Sequence, residues 1–70
     1  NYKEAVKCYR MAAKQNHAQA QCNLGICYEH GEGMQQNYEE AVKWFRMAAA
    51  QDHAEAKEAL AQVLKYLEGS

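Results

Sequence analysis

The sequence predicts an all-α chain, a piece of a helical array in which antiparallel hairpins stack on one another, and three observations predict it. Most of Asn1-Tyr-Lys-Glu-Ala-Val-Lys-Cys-Tyr-Arg-Met-Ala-Ala returns at Asn37-Tyr-Glu-Glu-Ala-Val-Lys-Trp-Phe-Arg-Met-Ala-Ala, an offset of about 36 residues, and self-similarity at such a period is the mark of stacked supersecondary units. A helix-start signal occurs four times, as Asn1-x-x-Glu4, Asn16-x-x-Gln19, Asn37-x-x-Glu40 and Asp52-x-x-Glu55; in each the first side chain can accept from the third helical amide while the acid or amide reaches back. The composition is rich in Ala, Gln, Glu and Lys and contains no proline, which suits helices throughout. One domain over residues 1–70, with helices at about 2–15, 18–30, 38–50 and 54–67, follows.

The first helix places Tyr2, Ala5, Val6, Tyr9, Ala12 and Ala13 on one stripe and turns Lys3, Lys7, Arg10 and Lys14 elsewhere. Almost no loop separates it from the second, so Asn16 must end one helix in a left-handed conformation, cap the next, or do part of both, and Asp52 stands at the matching place. The second helix is expected to bury Ala20, Leu24, Cys27 and Tyr28, and Gly25 offers a flat spot for a neighbouring helix. Gly31-Glu-Gly33-Met34 then breaks the pattern where the hairpins join. The third helix repeats the first stripe as Tyr38, Ala41, Val42, Phe45, Ala48 and Ala49, with Trp44 at its edge, and Glu39 and Lys43 stand four apart in the favourable order. The last helix keeps an apolar stripe as Ala56, Leu60, Val63, Leu64 and Leu67. It replaces Cys22 by Glu58, Ile26 by Gln62 and Gly25 by Ala61, so one face turns polar, as a terminal capping helix requires. Gly69-Ser70 reads as a stop or a cloning remnant. The first helix lacks the partner that would precede it in a full repeat and is expected to leave an apolar flank open.

Bulk properties exclude several function classes. A formal net charge of -1 leaves no footprint for nucleic acid or anionic lipid. No apolar run approaches the roughly 18 residues of a membrane span, and no signal peptide is present. The three cysteines have no disulfide-framework spacing, which favours a reducing, cytoplasmic compartment. The first residue is Asn, as in a fragment or a processed or engineered chain.

The segments Ala18-x-Ala20-x-x-x-Leu24-Gly25-x-x-Tyr28-x-x-Gly31-x-Gly33-Met34 and Asn37-Tyr38-x-x-Ala41-Val42-x-Trp44-Phe45-x-x-Ala48-Ala49-x-Gln51-x-His53-Ala54-x-Ala56 resemble a Sel1-like repeat, and the resemblance covers nearly the whole chain. It departs from the family at Asn16 and Asp52, where a Gly before His is usual, and at Cys8, which stands where the second copy has Trp44; Asn and Asp tolerate left-handed backbone better than most residues. The resemblance implies a right-handed superhelix related to tetratricopeptide repeats, an α-solenoid fragment acting as an adaptor that holds other proteins, with no catalysis and no cofactor.

Individual motifs give no competing chemistry. Cys22 and Cys27, five apart, diverge by roughly 140° around a helix and cannot bridge. Cys8 and Cys22 lie at similar heights, yet all three thiols occupy positions where the repeat or the family is apolar and are expected to be small buried hydrophobes. His17 and His53 recur in successive units about 8–10 Å apart or more, without further ligands, and read as turn residues rather than a metal pair. Gly31-x-Gly33 follows a helix instead of a strand and reads as a turn rather than a phosphate loop. The aromatic residues have no basic residues interleaved on their face and read as core. Glu4, Glu40, Glu55 and Gln19 are assigned to caps, and no carboxylate or His is set apart for acid–base work.

By analogy with tetratricopeptide-like arrays, the second and last helices line a concave face for a peptide or partner protein. The expected contact positions are Gln19, Cys22, Ile26, Glu29 and His30, then Glu55, Glu58, Gln62, Lys65 and Tyr66, with Cys22 and Ile26 forming an apolar patch. The alternative is a self-associating or engineered repeat unit, a homo-oligomer joined through the exposed first helix.

Overall fold

The computed structural model describes residues 1–69, which form four helices and no strand: α1 (Tyr2–Lys14), α2 (Ala18–His30), α3 (Tyr38–Ala49) and α4 (Ala54–Gly69). Their boundaries agree with the sequence reading to within one residue except at the end of α4, which continues through Gly69 instead of stopping before it. Ser70, read as part of that stop, lies outside the described residues.

The short turns settle the roles of Asn16 and Asp52. Both have left-handed backbone, with φ of 70° and 66°. After α1, the Asn16 and His17 amides donate to the carbonyls of Ala13 and Ala12; after α3, those of Asp52 and His53 donate to Ala49 and Ala48. This double bond pattern closes a helix C-terminus. Asn16 and Asp52 therefore end helices and do not cap the next ones, which corrects two of the four expected capping boxes. The N-cap of α2 is His17, without a side-chain bond, whereas His53 Nδ1 accepts from the Ala56 amide at 3.2 Å. The Asp52 carboxylate pairs with Lys57 instead, and that ammonium holds its carboxyl below the usual range.

The other two signals act as N-caps. Asn37 Oδ1 accepts from the Glu40 amide at 3.1 Å, and Asn1 Oδ1 from the Lys3 amide at 2.9 Å. Glu40 does not reach back, because the Asn37 amide donates to the Tyr28 carbonyl. That bond, with Gln36 Nε2 donating to the Glu29 carbonyl at 2.7 Å, folds the connecting loop onto the end of α2. Gly31 and Gly33 adopt φ of 71° and 75° there, the left-handed turn their missing Cβ permits. The Glu39–Lys43 pair is not made; Lys43 Nζ lies 5.2 Å from the centre of the Trp44 ring.

A pair of helices joined by so few residues must run antiparallel, and the four make two layers within a slab of 33 × 26 × 14 Å. The core has two parts, as expected of units that seal one another. Val6, Ala13, Ala20, Leu24, Cys27 and Trp44 close α1, α2 and α3 together, and Cys22, Ala41, Phe45, Ala48, Ala56 and Val63 close α2, α3 and α4. Gly25 is the flat spot it was expected to be, since a Cβ there would lie 2.6 Å from the Phe45 ring.

Some expected stripe positions stay in solvent. On α1 only Val6 and Ala13 are buried, and Tyr2 is 59% exposed. Cys8, expected inside, is exposed. Leu67 is partly exposed at the end of α4. Conversely, Gln21, which no apolar pattern could mark, is completely buried. Its Nε2 donates to the Ala13 carbonyl and to Asn16 Oδ1, both at 3.2 Å, and its Oε1 accepts from Gln51 Nε2 at 3.0 Å. With every one of these groups bonded, the buried amide ties the α1–α2 turn to the α3–α4 turn at one end of the array.

Candidate functional site

A concavity lies between α2 and α4. Ile26, Glu29 and His30 on α2 face Glu55, Glu58, Ala59 and Gln62 on α4 across an open cleft of about 290 Å³. Steps of three, four and seven residues put each set on one side of its helix. Six of the ten expected positions line this cleft, and Ala59 joins them. Ala59 lies four residues after Glu55 and three before Gln62, so the helical period marks it; the sequence reading followed polar substitutions and passed over it.

Four expected positions lie elsewhere. Cys22 shares a stripe with Ile26 and Glu29 but is completely enclosed among α2, α3 and α4, so it packs inside and cannot form the surface patch. Burial first, and the Glu55 carboxylate second, push its thiol up to about 11; Cys27 is raised in the same way, with Glu32 as the second cause. Gln19 is held by its fold contacts, with Nε2 donating to Asn23 Oδ1 at 3.1 Å and Oε1 lying 3.0 Å from His53 Nε2. Because His53 Nδ1 accepts from a backbone amide, the neutral ring carries its proton on Nε2 and donates it to Gln19. The Tyr66 ring packs on Tyr38, centroids 5.1 Å apart, and a hydrogen bond with Tyr66 is the first cause raising the Tyr38 hydroxyl. Lys65 is exposed on α4 outside the lining.

The buried thiols carry a prediction. A thiol raised above its ordinary value of 9.0 favours the folded state while protonated, so its contribution is complete below pH ~9 and disappears as pH climbs toward about 11. Near neutral pH a thiol reagent is expected to modify Cys8 promptly and Cys22 and Cys27 only as the chain opens, and melting temperature is expected to fall over that alkaline window. Three equal labelling rates would refute the burial.

A second concavity, about 400 Å³, is lined by Tyr28, Met34, Gln35, Gln36, Asn37 and Glu40 beside the α2–α3 loop. Sequence reasoning missed it because the loop's path creates it. Much of its polar lining serves the fold: Arg10 donates to the Tyr28 hydroxyl at 3.2 Å, Gln36 donates to Glu29 and Tyr38, and Asn37 caps α3. In the α2–α4 cleft, the side chains of Glu58 and Gln62 make no hydrogen bond or ion pair among the described residues, while the Glu29 carboxylate forms a long ion pair with His30, at 3.7 Å. The cleft thus has an apolar floor at Ile26 and Ala59 and carboxylates on both walls. Among the described residues no group of three or more His, Cys, Asp or Glu is arranged to hold a metal ion, and no helix is long and apolar enough to cross a membrane.

The Sel1 repeat profile matches residues 1–17 and 18–53, about three quarters of the chain. The chain belongs to the Sel1 repeat family. In that frame residues 18–53 contain α2 and α3, and residues 1–17, a separate match, contain α1. The chain also matches the crystal structure of a Sel1 repeat protein from Oxalobacter formigenes, with 46% identity and a TM-score of 0.87 over 90% of this chain and 26% of that one. It thus spans about a quarter of that protein's chain. A search of curated proteins finds no match. Sel1 repeats are generally protein-interaction scaffolds, not enzymes.

Proposed function

We propose that this Sel1 segment holds a peptide or partner protein in the cleft between α2 and α4. The observation that supports this reading is the division of labour between the two concavities. One has polar groups bonded to the fold, and the other offers an apolar floor with Glu58 and Gln62 uncommitted. A concave strip between successive repeats is where solenoids collect binding surface, and a small apolar patch with a few polar groups suffices to seat and orient a chain.

The test is a paired substitution in this chain, Ile26→Ala with Glu29→Gln. Helicity is expected to persist, since Ile26 is half-buried and Glu29 lies on the cleft wall, while affinity for a partner protein captured by the unsubstituted chain falls about tenfold, or about 1.4 kcal/mol. Unchanged affinity would rule out the cleft.

A second reading is favoured by the open side of α1. Met11 is 66% and Tyr2 59% exposed, and Ala5, Tyr9 and Ala12 are only half-buried where their counterparts Ala41, Phe45 and Ala48 are closed. A second copy could cover that side. Mass in solution across a concentration series separates this reading from the first.

A further inference from the structure

We propose that the occupant of the α2–α4 cleft is a basic peptide segment, with an apolar side chain resting on Ile26 and Ala59 between arginine or lysine side chains that face Glu29 on one wall and Glu55 and Glu58 on the other. This rests on the cleft being the binding site, and it adds the chemistry of what binds there.

The charge balance is local. The whole chain carries a formal net charge of -1, with eight Lys and Arg against nine Asp and Glu, so a general acidity does not account for the cleft. Its lining nevertheless contains three carboxylates and neither Lys nor Arg. His30 stands 3.7 Å from Glu29 and Lys65 is displaced beyond Gln62, outside the lining. The other cation of α4, Lys57, is paired with Asp52.

The open shape suits side chains of a polypeptide. The cleft, roughly 290 Å³, is at the small end for ligand sites, about 300–1,000 Å³, and it is open to solvent along its length, which suits a chain laid along it. Glu55 and Glu58 are solvent-exposed and Glu29 half-buried, so they attract a cation without carrying the full cost of burying an unpaired charge. Such rim carboxylates act on selection and encounter more than on raw affinity, and the planar guanidinium fork favours Arg over Lys where two oxygens are presented. The apolar floor provides the contact that electrostatics alone does not.

The test uses three labelled peptides with this 70-residue chain: one with Leu flanked by Arg pairs, one with Glu replacing Arg, and one with Ser replacing Leu. Binding is followed by fluorescence anisotropy and by amide chemical-shift mapping. The Arg–Leu peptide is expected to bind saturably, moving amides of Ile26, Glu29, Glu58 and Gln62, with affinity that falls as salt rises. The Glu and Ser peptides are expected to bind at least about tenfold more weakly, and Glu55→Gln with Glu58→Gln to weaken the Arg–Leu peptide by about tenfold while the circular dichroism spectrum is retained. Equal binding of the Glu peptide at the same amides overturns the basic occupant and leaves the cleft in place. Shifts confined to another surface, or no saturable binding of any peptide, overturn both.

Discussion

Replacing Phe45 by alanine is expected to remove about 3–5 kcal/mol of stability, at the upper end of what a single core truncation costs. Phe45 heads the fully buried side chains in size, and it sits where α2, α3 and α4 meet. Its neighbours Ala41, Ala48 and Ala56 are also fully enclosed. These three methyl groups cannot reach into the vacated space, so much of the cavity stays open even where larger neighbours such as Val63 and Leu60 border the cluster. Domains of this size have a total stability of only about 5–15 kcal/mol, and a loss of this magnitude takes much of it. Urea denaturation of Phe45→Ala is expected to show a large fall in midpoint, or a chain unfolded without denaturant. A loss below about 1 kcal/mol would mean that the α2–α4 contact through Phe45 is not as described.

Gly25→Ala carries the second large effect, and its sign is the informative part. Alanine is better than glycine inside a helix by about 1 kcal/mol, so propensity alone predicts a more stable protein. Packing predicts the reverse. The added Cβ would stand 2.6 Å from Phe45 Cε1 and 2.7 Å from Cδ1, against a ring enclosed on every side and unable to give way. Overpacking of this kind costs about 1–3 kcal/mol, which exceeds the helix gain over most of its range, so the melting temperature is expected to fall. The cause is separable: in a Phe45→Leu background the same Gly25→Ala change is expected to cost less, with a coupling of about 1 kcal/mol in the double-mutant cycle. Stabilisation by Gly25→Ala in the native background would contradict the close helix approach.

The sequence shows the same logic at the matching place in the next copy. Ala61 corresponds to Gly25 and is exposed, so no neighbouring ring demands a glycine there. Gly25, Phe45 and the alanine positions around them were legible because a close helix approach leaves a residue-by-residue trace in a repeat. The left-handed turns at Asn16 and Asp52 were legible as one of two options, since the same residue types favour both a helix end and a helix start. Choosing between them required the amide directions, which show the helix-ending bonds to Ala12, Ala13, Ala48 and Ala49.

The cleft was partly legible. Helical period placed Ile26, Glu29 and His30 together, and Glu55, Glu58 and Gln62 together, and the structure brings the two sets face to face. Cys22 was misplaced for a reason the period cannot reveal: it lies on the stripe of Ile26, but neighbouring helices close that stripe at Cys22 and leave it open from Ile26 onward. Cys8 was misplaced the other way. Its copy, Trp44, is buried between units, and similarity between copies says nothing about whether a neighbouring helix covers both.

By itself the sequence determined the four helices, their turns, the repeat and the family, because helix stripes, caps and glycine turns depend on interactions within a few residues of chain. Only the tertiary structure decided that Gln21 is a buried junction between two turns, that Cys22 faces inward, and which of two concavities keeps its polar groups free. These depend on how each helix is rotated and staggered against neighbours distant in sequence, and on which groups then meet a partner, which no local pattern encodes.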